Sequence, residues 1–236
     1  MNLPGTPPFM AVDPPSNAEL LRSLGRLVRG LSALFWGLPV ALIVCFQTAK
    51  TEFFKNFNVI PPLAVTGWLL YGLWQMRSFQ RQERIWMSAL DRAQAFALIN
   101  CGLCPFLYWW NRMPDQPFFT AMVGILAATG LIFLSDLNLV LRRLTAMLPD
   151  EGLRQEAGQF TALNRYLVLI TFCLLILFFF WVRFPSLAPP FADFLMVVDR
   201  VGLWLIIFLV LLPLAMTMAL LWKIKEVILD SIFGQT

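Results

Sequence analysis

The chain has 236 residues, of which 59% are hydrophobic and 14% charged, with a net charge of +4 and no histidine; its mean hydropathy is +0.71. Soluble domains carry about 25% charged residues, so this composition excludes an ordinary soluble enzyme and predicts an all-α membrane protein embedded in a lipid bilayer. Without imidazole there is no histidine-dependent haem, zinc or triad chemistry. No cofactor is expected, and the dispersed positive charge predicts no nucleic-acid partner.

Residues 1–15 include prolines at 4, 7, 8, 14 and 15 and no Lys or Arg, which predicts a flexible N-terminus. No secretory signal pattern is present: the apolar run from Leu31 lacks a small-x-small cleavage site and is expected to stay as a membrane helix. Residues 16–30 predict an amphipathic interfacial helix capped by Ser16 or Asn17. Its Leu20, Leu21, Leu24, Leu27 and Val28 oppose Arg22, Arg26 and Arg29, a pattern suited to an anionic leaflet surface.

A membrane domain over 31–222 follows, with six spans predicted at 31–49, 59–76, 94–110, 118–140, 166–182 and 201–222. The fifth span illustrates the arithmetic. "NRYLVLITFCLLILFFFWVR" (164–183) holds Arg165 near one end and Arg183 at the other, with no charge between them. Eighteen helical steps rise about 27 Å, close to the roughly 30 Å hydrocarbon layer, so both arginines reach headgroups on opposite sides.

Cation placement orients the spans. Arg22, Arg26, Arg29, Arg77, Arg81, Arg84, Arg92, Arg142, Arg143, Arg154, Arg165, Lys223 and Lys225 fall on one side; Lys50, Lys55, Arg112, Arg183 and Arg200 fall on the other. That bias predicts three hairpins with both termini in the cytoplasm of a cell membrane. The opposite connections are short and proline-bearing: "VIPP" (59–62), "MPDQP" (113–117) and "FPSLAPP" (184–190). "FADFLMVVDR" (191–200) reads as a short interfacial helix before the sixth span.

The second helix of each hairpin is predicted to run on beyond the bilayer. Residues 73–101 contain no Gly or Pro, which predicts helix almost throughout. The fourth span continues as "LRRLTAML" to the turn signal "PDEG" (149–152), and the sixth continues over 223–236 as a cytoplasmic extension. These pieces are amphipathic and basic. They suit either the inner leaflet or a partner, with Arg81, Trp86, Arg142, Arg143, Lys223 and Ile228 as the docking candidates.

Three other sets of residues are candidates for function. "CGLCP" places Cys101 and Cys104 one helical turn apart, where a dithiol can cycle if one thiol is acidified. Over those five residues the chain resembles membrane disulfide-forming and quinone-linked thiol oxidoreductases, but it lacks the second, mobile cysteine pair that the resemblance requires. Asp136 is the one carboxylate inside a predicted span; with Ser135, Asn138 and Asn100 it could line a polar path or bind an ion, or the group could tie helices together. Ala121, Gly124 and Ala128, with Ala127 and Gly130 beside them, make a small-residue face for close helix packing. Pro39 and Pro213 are expected to kink the first and sixth spans.

The expected function is that of a non-catalytic subunit or scaffold that packs against or anchors protein partners in a membrane complex. The alternative is a small oligomeric transporter or channel, with Asp136 and Asn100 near its path. In layout the chain resembles permease subunits of ATP-driven exporters, a likeness of topology alone.

Overall fold

The computed structural model describes residues 17–51, 57–79, 83–148, 150–183 and 192–233, with side chains at 22–51, 57–79, 83–148, 150–174, 176 and 208–230. The described residues are helical, without strands. The helices are α1 (Asn17–Lys50), α2 (Ile60–Met76), α3 (Arg84–Leu103), α4 (Pro105–Arg112), α5 (Pro117–Ala146), α6 (Glu151–Arg183) and α7 (Ala192–Phe233). Among the described residues, three stretches are long and apolar enough to cross a membrane: Arg22–Lys50, Pro117–Ala146 and Phe208–Asp230. The proline-rich N-terminus, Ser16, Arg81 and "FPSLAPP" lie outside the described residues.

Proline and capping set several boundaries. Prolines near the starts of α2, α4 and α5 sit where a helix has no use for the missing N–H. Asp150 accepts the Leu153 N–H through Oδ1 at 3.1 Å and so starts α6 within the "PDEG" turn. Asn58 takes φ 52°, a left-handed conformation that asparagine tolerates, and its Oδ1 accepts the Tyr108 hydroxyl at 2.7 Å.

Cross-helix contacts give the helix directions. α1 and α2 make the most extensive contact and run antiparallel, with Gly30 against Gly72 and Met76, and Gly37 against Leu69. α3 and α5 are antiparallel, with Asn100 bonded to Thr129 and Arg92 the cation that reaches Asp136. α6 and α7 are antiparallel through Thr171 with Leu209 and Glu156 with Lys223. One end of the bundle therefore gathers Met76, Arg84, Arg143, Glu156 and Lys223, and the other gathers Lys50, Asn58, Arg112 and Pro117.

The two ends are packed differently. Leu27, Leu31, Leu34, Leu73, Met76, Trp86, Leu90, Leu137, Leu141, Leu144, Leu220, Leu221, Ile224 and Ile228 are almost fully buried in one continuous cluster at the arginine-rich end. Large apolar side chains such as Trp36, Ile43, Phe46, Trp68, Trp74 and Ile125 stand on the outer surface. That surface suits hydrocarbon better than water.

Four expectations from the sequence are corrected here. Residues 16–30 are not a separate surface helix: α1 is continuous from Asn17 to Lys50, and Leu27 is in the core, because Leu24, Leu27 and Val28 pack against other helices. Residues 73–101 are not one helix. α2 stops at Met76, where Arg77 N–H turns back to Trp74 O at 3.2 Å and Phe79 N–H to Met76 O at 3.1 Å. Packing of Phe79 edge-on to Trp86 at 6.3 Å and the Arg77–Asp91 ion pair reward that reversal, and local propensity is a weak opponent. The helix over 94–110 divides at Cys104, because Pro105 has no N–H to give Cys101 O. Finally, the residues from Ala192 to Arg200 belong to α7 rather than to a separate helix. Pro39 and Pro213 lie inside continuous helices.

The tightest backbone approach is glycine on glycine. A Cβ at Gly30 would come within 2.7 Å of Gly72 O and 2.8 Å of Met76 Cγ. Gly30→Val is expected to destabilise the fold by about 1–3 kcal/mol, the usual range for overpacking. Gly124→Ala, whose Cβ meets nothing within 4 Å, is expected to change stability by no more than about 1 kcal/mol, the glycine-to-alanine helix preference. Reversible unfolding of both variants in mixed detergent checks the contrast; equal losses would refute the crossing.

Candidate functional site

Toward the Lys50 end the helices part around a chamber of about 450 Å³. Among the described residues, its wall draws on all seven helices. α1 contributes Ala41, Cys45 and Ala49, spaced every fourth residue, so that small side chains line one face. α5 faces them with Val123, Ala127 and Gly130, and Ala97, Leu107 and Val210 close the remaining sides. Phe46, which is exposed, stands at the rim. The chamber opens at the surface rather than being enclosed, and its lining suits an apolar occupant.

Among the described residues, three polar side chains reach the wall, and each is engaged. Thr66 donates to Pro62 O at 2.8 Å. Thr171 donates to Leu167 O at 2.8 Å. Asn100 Oδ1 accepts the Thr129 hydroxyl at 2.7 Å. The wall thus offers hydrocarbon contact and almost no means of solvating an ion.

A second polar group lies deeper, where α5, α6 and α7 meet. Asn138 Nδ2 donates to Thr217 Oγ1 at 2.8 Å, and Asn164 Nδ2 approaches the same oxygen at 3.5 Å. Thr217 donates its own proton to Pro213 O at 2.7 Å. All three side chains are buried, and Asn164 Oδ1 has no partner among the described residues. Pro213 also frees Leu209 O, which Thr171 Oγ1 approaches at 3.5 Å.

The candidates named from sequence do not form one path. Asn100 pairs with α5, whereas Asn138 joins the Thr217 group. Ser135 and Asp136 are half-buried on the neighbouring side of α5. No carboxylate–cation pair within 4 Å forms at Asp136 among the described residues, and Arg92 is the cation whose charge reaches it. Cys104 is buried and donates to Cys101 O at 3.1 Å, the carbonyl that Pro105 leaves without a donor. Its sulfur also lies 3.5 Å from Thr66 Oγ1, and both cysteines are free thiols. That arrangement repairs a helix break, which is a structural task for a cysteine beside proline.

Two further expectations are corrected. Ala121 and Gly124 are exposed, Ala128 is half-buried, and a Cβ at Gly124 would meet nothing within 4 Å, so that face is not closely packed among the described residues; Val123, Ala127 and Gly130 line the chamber instead, Ala127 exposed to it. Trp86 and Ile228 are core residues and cannot receive a partner. Arg142 and Arg143 are exposed, and Lys223 pairs with Glu156 at the surface.

Sequence reasoning missed the Ala41–Cys45–Ala49 stripe, legible as a four-residue repeat of small side chains inside an apolar run. It also missed Asn164 and Thr217, polar residues whose meeting depends on the register between α6 and α7. No protein-family model matches the chain, and no curated protein or solved structure is significantly similar to it.

The Asn138–Thr217 contact makes a measurable prediction. A double-mutant cycle of Asn138→Leu and Thr217→Val is expected to give a coupling of about 0.5–2 kcal/mol, whereas Asp136→Asn should alter stability by less than about 0.5 kcal/mol. Unfolding in detergent reads both; zero coupling would mean that the hydroxyl does not join the helices.

Proposed function

We propose that the chain is a multi-pass protein of the cytoplasmic membrane and a non-catalytic subunit that packs against or anchors partner proteins there. In this reading it crosses the bilayer six times as three hairpins, with both termini in the cytoplasm. The helix lengths support the count. α2, with 17 residues, rises about 26 Å, and α6 and α7, with 33 and 42, exceed the roughly 30 Å hydrocarbon layer. The cation bias supports the orientation, with Arg142, Arg143 and Lys223 exposed at the end assigned to the cytoplasm.

One observation carries the partner half of the reading: the open face of α5. Exposed leucine or isoleucine in a membrane is explained by lipid alone, since acyl tails are as apolar as they are. Exposed Ala121 and Gly124, with nothing within 4 Å of a Cβ at Gly124, offer instead a shallow track on which another helix can approach closely. A transporter reading, with Asp136 and Asn100 beside the path, draws less support, because Asn100 is engaged by Thr129 and the chamber wall is apolar. A thiol oxidoreductase would need a second cysteine pair in a loop, whereas Cys45 and Cys173 lie within α1 and α6.

Purification from native membranes in mild detergent is expected to bring down at least one other chain. Gly124→Leu should reduce that recovery at least fivefold without lowering the protein's own stability. A wild-type chain that runs alone removes the subunit reading. A carboxyl-terminal tag reachable only from outside the cell removes the proposed orientation.

A further inference from the structure

We infer that the chamber between α1 and α5 is a binding site for an acyl chain of an anionic phospholipid, whose headgroup is held by Lys50 and Arg112. The inference rests on the membrane reading above and goes beyond it by assigning a ligand.

The wall selects the class of ligand. Leu38, Cys45, Leu69, Leu126, Leu134 and Leu214 present hydrocarbon or thiol, and the three polar groups on the wall are already hydrogen-bonded. An ion, sugar or nucleotide would lose its water there and gain little in return.

The dimensions select a chain. The lining runs from Leu38 to Ala49 on α1 and from Val123 to Leu134 on α5, about 16 Å along each axis. That length matches one leaflet, half of the roughly 30 Å hydrocarbon layer. The lining follows the helix axes, as a lipid tail does.

The charge selects the headgroup. Ala49 lines the chamber, and Lys50 follows it at the end of α1. Lys50 Nζ sits over the Trp110 ring, 5.5 Å from its centroid, and the Arg112 guanidinium over the Tyr108 ring at 4.9 Å. Leu107, also on the wall, lies just before these residues on α4. Neither cation is in an ion pair among the described residues; Asp115, in the turn after α4, is exposed. Aromatic rings thus fix two cations at headgroup depth, directly beyond the chamber, where a lipid phosphate would meet them.

Phosphatidylglycerol carrying a diazirine in its acyl chain, in phosphatidylcholine vesicles holding the full chain, tests this directly. Cross-links are expected on the inward residues of 38–49 and 123–134. Ala127→Leu combined with Gly130→Leu fills the chamber and should lower them at least fivefold; a Cβ at Gly130 meets nothing within 4 Å, so the fold has room for it. If that pair fails to fold, cross-link positions in the wild-type chain decide the matter alone. Lys50→Gln with Arg112→Gln should erase a severalfold preference for phosphatidylglycerol over a phosphatidylcholine probe while leaving the cross-linked positions unchanged. Labelling confined to outward residues such as Ile43 and Ile125 would overturn the site, and equal labelling by the two probes in wild type would overturn the headgroup assignment. A chain that fails to float with the vesicles would instead overturn the membrane reading itself.

Discussion

In the membrane setting proposed above, the helices would lie in a hydrocarbon solvent and gain little by burying leucine against leucine, and that constraint would organise the molecule. What holds helices together there is close approach and a small number of polar contacts. The glycine crossing of α1 and α2 supplies the first: a Cβ at Gly30 would come within 2.7 Å of Gly72 O, and the most extensive helix contact among the described residues forms around them. Asn100 with Thr129, and Thr217 between Asn138 and Asn164, supply the second. Each ties helices distant in sequence through a group that would otherwise lie unpaired in an apolar surround.

In that setting every freed backbone group would also be expensive. Two prolines show how the chain responds. Pro105 releases Cys101 O, and the Cys104 thiol takes it at 3.1 Å. Pro213 releases Leu209 O, and Thr171 from the neighbouring helix approaches it at 3.5 Å. In both cases a side chain is spent on repairing a helix, and one of them, Cys104, is a residue whose spacing suggests redox chemistry.

The packed and parted ends follow from side-chain size. At the arginine-rich end Trp86, Met76 and many leucines fill the interior. Toward Lys50 several facing positions are small, Ala41, Cys45, Ala49, Ala97, Ala127 and Gly130 among them, and a chamber opens between them and the leucines that line it. Small residues thus play two opposite parts in one bundle. Where the backbones touch they close the structure, and where they do not they leave room for something else.

The helices and their apolar character were legible in sequence, because the uninterrupted runs, prolines and flanking arginines act locally. The "PDEG" start of α6 was legible for the same reason. The break after Met76 was not: nothing in 73–101 forbids a helix, and the turn is made by Trp86, Phe79, Arg77 and Asp91 finding one another across it. Which small-residue face would be used was equally hidden. Ala121, Gly124 and Ala128 match a packing pattern as well as Gly30 and Gly72 do, yet helix rotation leaves the first set open and buries the second. Trp86 and Ile228 looked like surface anchors and proved to be core, since an amphipathic stripe has the same periodicity whether it meets lipid, a partner or the rest of its own chain. Composition and periodicity therefore determined that this chain makes long apolar helices and where most of them begin and end. Only the tertiary structure decided which faces meet, which polar groups pair and where space remains, because those depend on the register and rotation of helices that the intervening sequence does not encode locally.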